Sequence, residues 1–467
     1  MNYIENRTFE ELQVGDEASV ERTLTDKDIR LFAALTGDVN PLHVDKEFAQ
    51  DWIFQKIIAH GMWGGSLISS VLGTQLPGPG TIYLSQNLEF RNPIAAGEKV
   101  RTTVRVAEKH DEGHRLVVDC ECRKANGEIA ITGQARVIAP TKKVRRPRVG
   151  SSSVELHKAG ARFEVLIDLA KEAGPVRMAV IHPVDEASLK GALEARDRGL
   201  IEPVLVGPES KIREAAETSE LNLSEVEIVP APHSHAAAKT AVDLARNGRV
   251  ASLMKGALHT DEVLTPVLDS ESGLRTERRV SHIFAMDVPS YERLLMITDA
   301  AVNVSPDLDD LADIVRNAIE LSHAIGVPEP AVALLSAVET VTPSIPSTLN
   351  SAALCKMADR GQITGGLLDG PLAFDNAISE RAAKIKGIKS KVAGRADVLV
   401  VPDLVSGNLL AKQLDYLAGA EGAGIVLGAR MPIALTSRAD TALERVASAA
   451  LAVLMAAESG LSGEPNT

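Results

Sequence analysis

The chain has 467 residues, 45% of them hydrophobic and 24% charged, with a formal net charge of −13. That length exceeds one ordinary hydrophobic core and points to two or three domains. The acidic balance excludes a general nucleic-acid binder, which needs a basic face, and no apolar run is long enough to span a bilayer. The first twenty residues are acidic and lack an apolar signal core, so a cytoplasmic location is expected. Three cysteines cannot build a disulfide framework. Cys120 and Cys122 fall on one face of an alternating strand and are expected to be reduced core thiols.

In chain order, the first chemistry-bearing stretch is Asp38-Val39-Asn40-Pro41-Leu42-His43, followed by Ala59-His60-Gly61-Met62. A carboxylate and an imidazole five residues apart across an Asn-Pro turn suit the addition of water to a double bond. One group holds and deprotonates the water while the other supplies a proton to carbon. The plainer reading is that Asp38 and Asn40 only build the turn around Pro41. The small, apolar segment Gly64 to Leu72 reads as a buried helix. Glu98 to Ala107, Arg115 to Arg123 and Glu128 to Ala139 then read as strands. The basic stretch 141–153, TKKVRRPRVGSSS, lacks apolar periodicity and reads as an exposed linker rather than a nucleic-acid patch.

Beyond it, short apolar strands alternate with helices. Arg177 to Ile181, Glu202 to Gly207, Ala331 to Ser336 and Asp397 to Val401 read as strands, and Glu186 to Arg198 as an amphipathic helix. This alternation predicts an α/β layer on mainly parallel strands. Three polar turns could bind ligand at strand ends: Met254 to Thr260, Asp403 to Asn408, and Leu435 to Asp440. Ser437 and Arg438 offer a hydroxyl and a planar cation suited to a phosphate or oxyanion, although a helix cap is the plainer explanation for each turn. No HExxH spacing suggests a metal, and His233-Ser234-His235, the nearest approach to a ligand pair, reads as an exposed polar loop after Pro232.

Two resemblances follow from these segments. GDVNPLHVD, AHGMWGGSL, LGTQLPGPGTIYLSQNLEFRNPIAAGE and KVRTTVRV resemble the MaoC-like, (R)-specific enoyl-CoA hydratases of the hot-dog fold, over residues 1–140. The likeness implies Asp38 and His43 as the catalytic pair on a trans-2-enoyl thioester, Ser69 as a supporting serine, and Asn40 and Gly61 beside the substrate. MKGALHTDEVLTPVLDSESGLRTERRVSHIF, LLMITDAAVNVSPDL, DGPLAFDNAIS and MPIALTSRADT resemble the phosphate acetyl/butyryltransferases, over 159–467 after a linker at 141–158.

That second likeness implies an α/β domain of the phosphate acyltransferase, isocitrate/isopropylmalate dehydrogenase-like, type. Its first lobe would span 159–274 plus 429–467, and its second 275–428. The fold class expected is therefore an α+β hot-dog domain followed by this two-lobed α/β domain. Ser437 and Arg438 match the family's Ser-Arg pair. Asp440 and Glu444 are both candidates for the carboxylate that takes the CoA thiol proton, and His259, Thr260, Arg275, Gly407 and Asn408 for substrate contacts. The acetyl branch carries arginines where this chain has Thr265 and Asp415, which puts acetyl specificity in doubt. CoA thioesters and inorganic phosphate are the expected substrates, with no permanently bound cofactor, no metal, no nucleic-acid or membrane partner, and at least a homodimer. A different reading makes the second half a non-catalytic acyl-CoA sensor and oligomerisation module.

Overall fold

The computed structural model describes residues 3–147, 160–437 and 439–461. The chain divides into two compact units, Met1–Leu156 and His157–Thr467. Among the described residues no helix is long and apolar enough to cross a membrane.

In the first unit, β1 (Tyr3–Glu5) and β2 (Glu17–Thr23) precede the helices α1 (Asp26–Thr36), α2 (Pro41–Val44), α3 (Lys46–Asp51) and α4 (Gly61–Thr74). Then come β3 (Ile82–Phe90), β4 (Lys99–His110), β5 (Arg115–Lys124), β6 (Ile129–Ile138) and β7 (Arg145–Pro147). Five strands form an antiparallel sheet in the order β2-β4-β5-β6-β3. The sheet packs on α4, whose Trp63, Leu67, Ile68, Val71 and Leu72 meet Val100, Val104, Val118, Ile131 and Val137. A sheet wrapped on one apolar helix is the hot-dog arrangement. Cys120 and Cys122 are buried on that inner face, as their alternation predicted.

The expected linker needs correction. Residues 145–147 form β7, which pairs antiparallel with β1. Two basic residues of this stretch are paired locally: Lys143 with Glu5 and Glu11, and Arg145 with Glu5. The remainder of the linker, 148–158, lies outside the described residues.

The second unit holds one eleven-stranded sheet. Its strands are β8 (Val176–Ile181), β9 (Ile201–Gly207), β10 (Glu227–Pro230), β11 (Ser252–Lys255), β12 (Ser281–Asp287) and β13 (Leu295–Thr298). β14 (Ala331–Leu335), β15 (Leu367–Leu372), β16 (Val398–Val400), β17 (Glu421–Leu427) and β18 (Ile433–Ala434) complete it. The spatial order is β10-β9-β8-β11-β18-β17-β12-β13-β16-β14-β15. β8 to β11 run parallel with β18, and β13 to β16 run parallel with one another. Between these sets, the β18–β17, β17–β12 and β12–β13 pairings are antiparallel. The two parallel sets therefore point in opposite directions, which decides where each loop emerges.

Helices cover both faces. Before, between and after the strands of the β8–β11 set come α5 (Ala161–Glu172), α6 (Glu186–Asp197), α7 (Glu209–Thr218), α8 (Ser234–Arg246) and α9 (Thr260–Val267). Among those of the β13–β16 set come α10 (Leu308–Ala324), α11 (Pro346–Asp359), α12 (Phe374–Ile378), α13 (Glu380–Ile385) and α14 (Leu404–Ala418). The C-terminal α15 (Ala442–Glu458) returns to pack with α5 and α6. Val446 to Ala456 of α15 are all buried, as befits a helix that is apolar all round. His233 caps α8 with its ring nitrogen, so the His233-Ser234-His235 segment is a helix start rather than a free loop.

Candidate active sites

In the first unit, α1 ends at Gly37, whose φ of 74° lets the chain turn sharply. Asp38 follows. Its amide donates to Thr36 Oγ1, and its Oδ1 accepts the Asn40 amide, each at 3.3 Å. Asn40 Oδ1 accepts the Leu42 amide at 3.1 Å and caps α2, with Pro41 as the first helical residue. The turn-building roles weighed for Asp38 and Asn40 are thus real, and they set His43 as the third residue of α2. His43 Nδ1 lies 2.9 Å from the Ile58 carbonyl oxygen. A carbonyl only accepts, so Nδ1 carries the proton and Nε2 is left for chemistry.

His60 brings the two together. Its Nε2 is 2.9 Å from the Asp38 carbonyl oxygen, and its ring stacks on His43 with centroids 3.9 Å apart. Side-chain ligand atoms of Asp38, His43 and His60 all lie within 4.8 Å of one another. Beside them a cavity of about 300 Å³ is lined by Phe54, Ile58, Gly61, Phe90, Ile94 and Ile131. An apolar pocket with a few polar groups at its mouth suits an acyl chain. Gly61 opens α4, and its amide is among the donors a helix leaves unpaired at its start. Ser69 is exposed on α4 about two turns beyond Gly61, and the structure does not bring it to the pair.

In the second unit, β11 and β18 are parallel neighbours, so the turns that follow them emerge at one sheet edge. Lys255 Nζ donates to the Thr436 carbonyl at 2.8 Å, and Thr436 Oγ1 donates back to the Lys255 carbonyl at 2.7 Å. This reciprocal pair joins the His259-Thr260 turn to the Ser437 turn. His259 precedes α9, and its amide donates to Glu262 Oε2 at 2.8 Å. The helix thus caps itself with its own carboxylate.

Ser437 is exposed, while Thr436 beneath it is buried. Arg445, 2% exposed, reaches up from α15: Nη2 donates to the Ser437 carbonyl at 2.6 Å and Nη1 to Thr436 Oγ1 at 3.1 Å. Asp440 Oδ2 accepts the Ser437 amide at 2.6 Å. Burial pushes the Asp440 carboxyl up to about 6, against the lowering effect of that amide and with the Glu444 carboxylate adding to the rise. Glu444 accepts the Gly422 amide at Oε1 and the Thr441 amide at Oε2, and completes the cap of α15. Asp415, near the end of α14, is raised by burial and then by Glu444, so acidic side chains converge on this edge. Arg438 lies outside the described residues.

Three expected contacts are placed elsewhere. Gly407 packs its α14 backbone against the Asp299–Ala300 turn, where a Cβ would come 2.6 Å from the Asp299 carbonyl oxygen. Asn408 Nδ2 donates to the Ala300 carbonyl at 3.3 Å. That turn follows β13, at the sheet edge opposite to Ser437. Arg275 bridges Ala429 just after β17, also at the opposite edge. Gly407, Asn408 and Arg275 are not brought to Ser437, because the strand directions reverse between the two sets. Sequence reasoning placed Lys255 and Thr436 in candidate turns without giving them a role, and passed over Arg445. A lone arginine in an Ala/Val/Leu-rich helix was the available signal, since such a charge is buried only when paired.

Comparison with known proteins agrees with this division. Residues 232–453 match the "Phosphate acetyl/butaryl transferase" family model, and residues 11–123 match the "MaoC like domain" model. Phosphate acetyltransferase of Rhizobium meliloti is 60% identical over 297 residues, covering 64% of this chain and 94% of that protein. Phosphate butyryltransferase of Clostridium acetobutylicum is 40% identical over 294 residues, covering 63% and 98%. A branched-chain phosphotransacylase from Enterococcus faecalis V583 aligns over 60% of this chain and 99% of its own, with TM-score 0.54 and 27% identity. The chain belongs to the phosphate acetyl/butyryl transferase family and carries a MaoC-like domain at its N-terminal end.

Proposed function

We propose that this chain is a bifunctional acyl-CoA enzyme. Its first unit hydrates trans-2-enoyl-CoA to (R)-3-hydroxyacyl-CoA, and its second transfers an acetyl or butyryl group between CoA and inorganic phosphate. The observation that carries the first activity is the Asp38/His43 pair, clustered with His60 within 4.8 Å, of which His43 lines a mostly apolar cavity. Water sits between the carboxylate and His43 Nε2, one of which takes its proton as oxygen adds to C3 while the other protonates C2. The Gly61 amide, at the start of α4 in the lining of the same cavity, supplies a donor for the negative charge that develops on the thioester oxygen.

For the second unit, the hydrogen bonds that Arg445 and Asp440 make to Ser437 support transfer, and the likeness to named transferases favours catalysis over the sensor reading. A phosphate oxygen attacks the thioester carbonyl, the C–S bond breaks, and the sulfur departs as the CoA thiol by taking the proton of the carboxyl group that accepts it in the reverse direction. In the reverse direction the CoA thiol must lose its proton. Asp440 is the acceptor in this reading: one of its oxygens binds the Ser437 amide, whereas both oxygens of Glu444 are held by backbone N–H groups. Ser437 and Arg438 orient the carbonyl and the phosphate.

The test is CoA release by the purified chain from acetyl-CoA and butyryl-CoA, with and without inorganic phosphate, beside crotonyl-CoA hydration. Phosphate-dependent release with concurrent hydration supports the proposal, and the faster donor identifies the acyl preference. Release indifferent to phosphate sinks the transferase half.

A further inference from the structure

The Asp38 side chain sits on an exposed loop whose own hydrogen bonds are local and long. Thr36 and Asn40, the partners of its amide and its carboxylate, are two residues away, each at 3.3 Å. Bonds of that length between exposed groups restrain a loop weakly. A general acid or base displaced by about 1 Å loses a large part of its effect, on the order of a hundredfold in rate. Something must therefore tie Asp38 to the rigid part of the unit.

His60 makes that tie. It is 3% exposed and sits at the cap position of α4, a helix anchored in the core by Trp63, Leu67 and Ile68. From there it reaches 22 residues back along the chain to the Asp38 carbonyl oxygen. That oxygen only accepts, so His60 Nε2 bears the proton. The opposite nitrogen, Nδ1, is sealed from solvent with no hydrogen-bond partner. Neither nitrogen is available to a substrate. The ring face does the remaining work: it stacks on His43 at 3.9 Å with a 34° tilt, and Phe32 packs on it at 5.2 Å. The same stacking opposes reading Asp38, His43 and His60 as a metal site, because rings laid face to face do not converge their in-plane lone pairs on one ion.

We propose that His60 is a positioning residue for hydration, fixing the Asp38 main chain through Nε2–H and the His43 ring through its face. This rests on the hydratase reading of the first unit. Truncation leaves both members of the pair present but lets their separation fluctuate. His60 also lines the cavity, but Phe54, Ile58, Phe90, Ile94 and Ile131 stay in place, so the loss appears in turnover more than in binding.

The experiment uses the full chain with His60→Ala, His60→Gln and His60→Phe, assayed for crotonyl-CoA hydration. His60→Ala lowers kcat about 100-fold while KM changes less than about threefold. His60→Gln, which keeps an N–H donor, recovers at least about tenfold over His60→Ala. His60→Phe, which keeps only the ring, recovers less. If His60→Ala is unfolded by thermal melt, the Gln and Phe variants decide on their own, since each retains most of the side-chain volume. A kcat within about twofold of wild type in His60→Ala, a loss confined to KM, or equal recovery by Gln and Phe overturns the role. Wild-type chain that hydrates no enoyl-CoA sinks the hydratase reading and this inference with it. Active wild type with an undisturbed variant sinks only the role of His60.

Discussion

Arg445 on α15 holds the carbonyl oxygen of Ser437 at 2.6 Å, and Gly191 on α6 leaves the space that Arg445 occupies. A Cβ at position 191 would lie 2.7 Å from Arg445 Cδ and 2.9 Å from its Cβ. The candidate transferase turn is thus set by a buried guanidinium that two helices make room for. Arg445→Lys keeps the charge but loses the fork that reaches Thr436 and Ser437 together. It should lower phosphate-dependent transfer at least about tenfold, since a hydrogen bond to a charged group contributes about 1.5–3 kcal/mol. Gly191→Ala should do the same from outside the site. Steady-state transfer assays on both variants check this; normal kcat in Gly191→Ala would show that Arg445 has slack.

Asp440 gives a pH signature of definite sign. Its folded value is raised to about 6, above the ordinary carboxylate range. Proton acceptance needs the ionised form, so acyl-phosphate-consuming transfer should rise with pH along an acid limb centred near 6. Stability runs the other way. The folded state binds this proton more tightly than the unfolded chain, so stability falls as pH rises from the unfolded value of 3.8 through about 6. Asp440→Asn should therefore lose most transfer at every pH, show no limb near 6 in what remains, and raise Tm at pH about 8 with little change at pH about 4. An unshifted Tm difference between the two pH values would contradict the assignment.

Removal of either member of the hydration pair should be nearly complete in effect. Asp38→Asn and His43→Ala should each lower crotonyl-CoA hydration by about 100-fold or more. Phosphate-dependent transfer should stay unchanged in both. His43→Ala retaining more than about a tenth of wild-type hydration would move the proton transfer elsewhere.

Much of this was legible in the sequence, for identifiable reasons. The Asp38–His43 pair sits in one short turn whose geometry Asn40 and Pro41 dictate locally. The strands at 115–124 and 201–207 and the helix at 186–197 follow from periodicity and end at the expected turns. What failed depends on long-range placement. Gly407 and Asn408 look like ligand-binding residues because they follow an apolar strand, and Arg275 because its SGLRT segment resembles the transferase family. Their sheet edge is set by the antiparallel β17 and β12, which no local pattern announces. Residues 145–147 look like linker because their pairing partner, β1, lies at the other end of the unit. Arg445 and His60 act through contacts with no sequence spacing of their own.

Two glycines in the first unit predict a graded stability effect. A Cβ on Gly133 in β6 would lie 2.1 Å from the Asn87 backbone carbonyl oxygen. On Gly64 in α4 it would meet the Ile131 Cδ1 tip at 2.3 Å. A side-chain tip can rotate and a paired strand cannot. Gly133→Ala should therefore destabilise by about 2–3 kcal/mol, and Gly64→Ala by about 1 kcal/mol or less. Urea unfolding of the two variants, followed by a probe in the first unit, reads the order; the reverse order would contradict the packing described.

The central claim is that one chain carries two active sites that do not depend on each other. Its most direct test assays both activities in the same preparations of wild type, Asp38→Asn and Asp440→Asn. Wild type should hydrate crotonyl-CoA and release CoA from acetyl- or butyryl-CoA only when phosphate is present. Asp38→Asn should lose hydration alone, and Asp440→Asn transfer alone. Loss of both activities in either variant, or CoA release indifferent to phosphate, would contradict it.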